Sequence, residues 1–183
     1  ITEVIVQPTH VINGIENDLM KEDALAFKNR FERITFGDPL LTTQQDHVEI
    51  VNAICQEFSN LPADCALILM GHGTSHYAND VYAALDRFKD LGFSNIHLAT
   101  VEGYPTLENV TRMVKEQEAK KVILAPFMIV AGDHARNDMS GDDEDSWKNQ
   151  FRAAGYDVEC RMKGLGEYPA IQDMLIRHVT EVC

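Results

Sequence analysis

Cys65-Ala-Leu-Ile-Leu-Met70, running straight into Gly71-His-Gly-Thr-Ser-His76, decides the fold. The first six residues form an unbroken apolar run, as a strand buried on both faces requires. Two further runs have the same form. Asn95-Ile-His-Leu-Ala-Thr-Val101 leads into Glu102-Gly-Tyr-Pro105, and Lys121-Val-Ile-Leu-Ala-Pro-Phe127 leads into Met128-Ile-Val-Ala-Gly-Asp-His134. Helix-like segments separate the runs, and strand–helix alternation predicts a doubly wound parallel sheet. In such sheets ligands bind outside the carboxyl ends of the strands. His72, Glu102 and His134 all stand there, just past three strand ends. Two imidazoles and a carboxylate converging at that edge make a divalent-metal site with open coordination positions.

Working outward, residues 3–9 read as a strand, 16–32 as a helix and 34–41 as a short strand or extended turn. Thr42 or Thr43 caps a helix through about Phe58. The polar stretch Ser59-Asn-Leu-Pro-Ala-Asp64 marks the boundary between a first unit, 1–62, and a second, 63–183. The second unit continues as strand 65–70, helix 78–91, strand 95–101, helix 106–118, strand 121–127, a long loop, helix 144–153, strand 156–161 and helix 168–181.

The chain also repeats itself. Val4-Ile-Val-Gln-Pro-Thr-His-Val-Ile-Asn-Gly14 matches Val122-Ile-Leu-Ala-Pro-Phe-Met-Ile-Val-Ala-Gly132 in its Val, Ile, Pro and Gly positions, and Lys28-Asn-Arg-Phe31 matches Lys148-Asn-Gln-Phe151. The fold class expected is therefore α/β with two similar doubly wound lobes. The first is incomplete, and a β-α-β-α stretch of roughly 60 residues is expected before Ile1. The repeat aligns Glu16 with His134 and places Glu16 on the facing side of a cleft.

The glycines of Gly71-His-Gly-Thr-Ser-His76 permit a tight turn and close ligand approach at Gly73. The amides near Thr74 and Ser75 are placed at a helix start that favours anions. An incidental His in a Gly-rich connection is the plainer alternative. His72 is the candidate ligand, and His76 lines the pocket. Glu102 alone could be a helix-dipole partner; beside the two histidines it reads as a ligand. The polar loop from Gly132 carries His134 and also Arg136, a candidate partner for a substrate carboxylate or for a structural ion pair. Asp142–Asp145 reads as a charge cluster before a helix. His10 follows the first-lobe strand as His134 follows its own. His47, His97 and His178 read as structural. Walker, dinucleotide and zincin motifs and a serine nucleophile elbow are absent from the sequence.

The chain has 183 residues, 45% hydrophobic and 25% charged, in the range of a globular protein. Its net charge of −13 argues against nucleic acid or an anionic membrane as partner. The longest apolar stretch, 122–132, is about half a membrane span. Cys55, Cys65, Cys160 and Cys183 form no C-x-x-C pair and read as free thiols, which suits a reducing compartment such as the cytoplasm. The start at Ile1, without Met or a signal-like segment, suggests a fragment or processed form and leaves the periplasm open.

Taken together, Met70-Gly-His-Gly-Thr-Ser-His76, Val101-Glu-Gly-Tyr-Pro105, Pro126-Phe-Met-Ile-Val-Ala-Gly-Asp-His-Ala-Arg-Asn-Asp-Met139, Gly164-Leu-Gly-Glu167 and Val6-Gln-Pro-Thr-His-Val-Ile-Asn-Gly14 resemble the anaerobic sirohydrochlorin cobaltochelatases of the CbiK type. The likeness covers essentially the whole chain, with motifs agreeing in order and spacing. It implies the class II chelatase fold, two α/β lobes around a tetrapyrrole cleft, with Co²⁺ as substrate metal and no organic cofactor. It implies that His72, Glu102 and His134 hold the incoming cobalt. Tyr77, Tyr104 and Met128 are candidate walls for the ring; Arg136, Arg33 and helix N-termini are candidates for its carboxylates. A homo-oligomer, or completion by the preceding segment, is the expected assembly. The alternatives are iron or nickel insertion by the same fold, a non-catalytic tetrapyrrole or metal carrier, and a zinc-dependent hydrolase.

Overall fold

The computed structural model describes residues 1–85, 88 and 91–183. Two parallel sheets form. The smaller pairs β1 (Glu3–Val6) with β2 (Arg33–Phe36), Val4 standing opposite Ile34. The larger has the order β4-β3-β5-β6, with β3 (Cys65–Gly71), β4 (Ile96–Thr100), β5 (Lys121–Pro126) and β6 (Asp157–Cys160). All its pairings are parallel. The chain leaves β3 for a neighbour on one side and returns to its other side as β5. That reversal is the topological switch point of a doubly wound sheet, where ligands sit beyond the carboxyl ends.

The apolar runs are buried because helices cover both faces. Every residue of β3 is buried. Its side chains alternate between two cores, as a two-residue period demands. Cys65, Leu67 and Leu69 join Ile50, Ile54 and Phe58, from α2 (Gln44–Glu57) and its C-terminal end, and Ile171 and Met174 of α6 (Pro169–Thr180). Ala66, Ile68 and Met70 join Val110 and Val114 of α4 (Leu107–Glu116) and Trp147 and Phe151 of α5 (Trp147–Ala153). Each such Leu- or Phe-sized side chain contributes roughly 1.5–3 kcal/mol of burial free energy. The core over the first face runs through α2 and so crosses the 62/63 position expected as a boundary.

Thr43 caps α2: its hydroxyl accepts from the Asp46 amide, and the Asp46 carboxylate accepts from the Thr43 amide. Thr106 and Asn109 form the same reciprocal box on α4. Three expectations about elements need correction. The helix expected over 16–32 ends early: α1 covers Ile15–Leu25, and a separate 3-10 turn covers Lys28–Arg30. Its one buried residue is Asn17, so no apolar face holds the later turns to a core. The helix expected over 78–91 is a 3-10 turn at Tyr77–Asn79 and then α3, Asp80–Ala84; part of its remainder lies outside the described residues. The loop after β5 contains a π-helical turn, Ala135–Met139.

β1 and β5 begin at residues 3 and 121, the offset of the sequence repeat. Beyond β1 and β2 the two chains stay side by side. The Leu40 and Leu41 amides donate to the His10 and Val11 carbonyls, which buries Ile12 and Leu41. Among the described residues β1 has no strand on its other edge. The cysteines are all free thiols. No described helix is long and apolar enough to cross a membrane.

Candidate metal centre

His72, Glu102 and His134 each offer a ligand atom, and these atoms lie within 4.8 Å of one another. The switch point brings them together. His72 follows β3, Glu102 follows β4, and His134 follows β5 by way of residues 127–133. The β3–β4 ladder continues past both strand ends: the Val101 amide donates to the Gly71 carbonyl and the Glu102 amide to that of His72, at 3.0 and 2.8 Å. Glu102 is thereby tied to His72, and its carboxylate lies 4.0 Å from His72 Nδ1. The two imidazoles meet edge to face, centroids 4.7 Å apart. Bonds of about 2.0–2.2 Å hold donors on one ion no more than ~4.4 Å apart. Small side-chain movements therefore close these three on a metal, and all three remain partly open to solvent.

The His72 turn is built on close backbone approach. Gly73 has φ +80°, and a Cβ there would lie 2.6 Å from the Gly103 amide nitrogen and 2.8 Å from Thr100 Cβ. Gly73→Ala is therefore expected to push apart the turns carrying His72 and Glu102 and to weaken Co²⁺ binding by about 10-fold or more. Isothermal titration of the metal checks this, and unchanged affinity would mean that the turn does not set the site. Asn79, buried, locks the same two turns: its Oδ1 accepts from the Thr74 amide and its Nδ2 donates to the Tyr104 carbonyl. The Thr74 amide is thus already engaged. It is therefore not free for the anion role expected of it, and the element that follows is a three-residue 3-10 turn, Tyr77–Asn79, capped by the His76 side chain.

A cavity of about 180 Å³ opens beside His72, lined by His10, Val11, Ile12 and Glu16 from the first part of the chain and by His72, Gly73, Thr74, Tyr82 and Met128 from the second. Glu16 thus reaches the cleft from the start of α1. Burial pushes the Tyr82 phenol up to about 12; a hydrogen bond from the Gly73 amide lowers it, and the Glu16 charge raises it further. Tyr82 is therefore neutral at ordinary pH and lines the cleft as a phenol. His10 lines the same cavity, and its buried Nδ1 has no partner among the described residues.

Other expected residues fall elsewhere. His76 is the cap of the 3-10 turn, its Nδ1 accepting from the Ala78 amide, with Nε2 3.9 Å from Asp18 across the cleft. Tyr104 lines a separate cavity with Tyr82, His97 and Leu98. Tyr77 and Arg136 are exposed. Arg33 is corrected: it opens β2, at the strand end remote from the cleft, and pairs with Glu3 at 2.7 Å. His97 is buried against Gln117, and His178 against Asp46. Gly164 and Gly166 support the segment leading to His134: the Leu165 and Gly166 amides donate to the Met128 and Ile129 carbonyls, and a Cβ on Gly164 would lie 2.5 Å from the latter.

Two residues at the site escaped the sequence reading. Asn79 carries no local signal. Asp138, whose carboxylate meets His134 Nδ1, was legible as a His-x-x-x-Asp spacing once a helical turn was granted.

The sequence profile of the family described as "Cobalt chelatase (CbiK)" matches residues 1–183. The chain is 37% identical over 177 residues to a sirohydrochlorin cobaltochelatase of Salmonella typhimurium, covering 97% of this chain and 67% of that protein. It is 34% identical over 185 residues to the sirohydrochlorin cobaltochelatase CbiKC of Nitratidesulfovibrio vulgaris, covering 98% of this chain and 64% of that protein. It thus spans about two thirds of the length of these relatives. Among solved structures it resembles SirB from Bacillus subtilis with Fe³⁺, with a TM-score of 0.69 at 15% identity, covering 98% of this chain and 71% of that one. It also resembles the multi-domain protein DR2241 of Deinococcus radiodurans, described as similar to chelatases, with a TM-score of 0.51 at 14% identity, covering 98% and 55%. At those identities the likeness speaks to the fold.

Proposed function

The chain belongs to the cobalt chelatase (CbiK) family, and we propose that it inserts Co²⁺ into sirohydrochlorin. The observation that carries this reading is the convergence of His72, Glu102 and His134 beside a two-walled cleft. Three ligands are few enough for the ion to be released. They leave positions free for pyrrole nitrogens to bind before the protein lets go. The reaction exchanges two pyrrole N–H protons for one Co²⁺. Those protons pass to cleft groups that can accept them: Glu102 on the metal wall, Glu16 and His10 opposite.

The cavity is smaller than the roughly 300–1,000 Å³ of a typical whole-ligand pocket, so the macrocycle spans the cleft and sends only its centre toward the metal. Met128 and the neutral Tyr82 supply apolar contact; Tyr77 and Tyr104 stand as outer walls. Gly73 and Thr74 let the ring approach the backbone, while His76 braces this wall against Asp18. Arg136, exposed on the π-helical turn, meets a peripheral carboxylate. In this reading 1–62 and 63–183 are the two sides of the cleft. The four free thiols fit the cytoplasm.

Turnover tests the proposal. Sirohydrochlorin with Co²⁺ and catalytic protein is expected to show the absorbance change of metal insertion over many turnovers. Ni²⁺ and Fe²⁺, run as parallel arms, report metal choice, which nitrogen and oxygen donors alone do not set. Stoichiometric binding without turnover would make the chain a carrier instead.

A further inference from the structure

We propose that Asp138 is a positioning residue that fixes the tautomer and ring orientation of His134, so that Nε2 is the atom presented to the metal. The inference rests on the metal-site reading above. His134 Nδ1 lies 2.5 Å from Asp138 Oδ2. A carboxylate oxygen only accepts, so the hydrogen of the neutral ring sits on Nδ1, and Nε2 keeps its lone pair. His72 reaches the same state with a different partner: its Nδ1 lies 2.8 Å from the Gly73 carbonyl, which also only accepts. Both imidazoles therefore offer Nε2.

The π-helical turn makes the Asp138 contact rigid. Ala135 and Met139, each the next residue after one member of the pair, are wholly buried in the core over the second face of the sheet. Their anchoring leaves His134 and Asp138 together on the open side of the turn, with side chains 33% and 45% exposed. The Ser140 hydroxyl and amide both donate to the Ala135 carbonyl and close the turn. Asp138 has no other side-chain hydrogen bond among the described residues. A role in folding would require more contacts than this one, whereas a role at His134 requires only this one. Carboxylates in this outer position typically change metal affinity by about 10–100-fold when removed.

The test compares wild type, Asp138→Ala, Asp138→Asn and His134→Ala in the full chain. In ¹⁵N-labelled metal-free protein, long-range imidazole correlations are expected to place the His134 hydrogen on Nδ1 in wild type and D138N, whose amide oxygen still accepts. They should show it redistributed toward Nε2 in D138A. Co²⁺ titration should show D138A weakened about 10–100-fold and D138N within about threefold of wild type. A D138A protein with wild-type affinity overturns the inference, whichever tautomer it shows. So does lost affinity with an unmoved tautomer, since the carboxylate would then act through its charge. The His134→Ala arm keeps the two readings apart. If it binds Co²⁺ as tightly as wild type, the metal site itself is misassigned. If it loses the metal while D138A keeps it, only the role of Asp138 falls.

Discussion

His134→Ala is expected to cut cobalt insertion by about 100-fold or more and to leave the fold intact. The activity loss follows from ligand number. In the proposed metal site three protein donors fall to two, and removing even an outer partner of a metal-bound histidine costs about 10–100-fold in affinity or activity. The stability forecast follows from the position of the side chain. The His134 side chain is one third exposed, and among the described residues its polar partner is Asp138. A single partly exposed hydrogen bond is worth about 1 kcal/mol, so for a chain of this size the melting temperature should move by no more than ~4 °C. Circular dichroism melting and the insertion assay, run on the same preparation, separate the two effects. Wild-type insertion by the folded variant would remove His134 from the site.

Much of the architecture was legible because burial is repetitive. β3, β4 and β5 are covered on both faces, and their apolar runs announce this without any partner being known. Their parallel pairing follows from strand–helix alternation, and the positions of the three candidate ligands follow from standing past the strand ends. Thr43 was legible as a cap because capping is local chemistry. What failed was set by tertiary context. Nothing in residues 26–32 signals a stop; α1 ends at Leu25 because the helix buries only Asn17 and has no core to follow. The π-helical turn is equally silent, since Ala135 and Met139 choose it by packing under the sheet edge. Arg33 was misplaced although its position ahead of the 34–41 strand already put it at the amino end, opposite the carboxyl ends where ligands sit. Asn79 was missed because its two hydrogen bonds reach turns five and twenty-five residues away.

The largest expected stability effect lies far from the metal, at Asp46. This carboxylate is fully buried at the start of α2. One oxygen accepts from Arg177 Nη2 at 2.6 Å and His178 Nε2 at 2.9 Å, both on α6. The other accepts from the Thr42 and Thr43 amides and the Thr43 hydroxyl. Five donors therefore meet on one group, which joins α2 to α6 over the first face of the larger sheet. Burial pushes the carboxyl up, but the bonds from Arg177, Thr43 and His178 outweigh it and hold the group well below the usual carboxylate range. Asp46→Ala takes from Arg177 its buried acceptor, leaving it Glu49 and Glu181 at the surface, and leaves the buried His178 Nε2 without its partner. Breaking a buried pair in this way costs about 3–5 kcal/mol, or roughly 10 °C in melting temperature at this chain length.

The pH dependence has a definite sign. A carboxyl whose folded value lies below its unfolded one binds more protons unfolded than folded, so its contribution is complete above the unfolded value near 3.8 and is lost as pH falls from there toward the folded value. Acid titration of denaturant midpoints should therefore show wild type losing stability steeply below about pH 4, with a shallower slope in the variant. Insertion activity at neutral pH and low temperature should survive in the part of the variant that remains folded, because no metal ligand touches this cluster. Equal acid slopes in the two proteins would show that Asp46 carries no linked proton, and its burial would then have to be explained by packing alone.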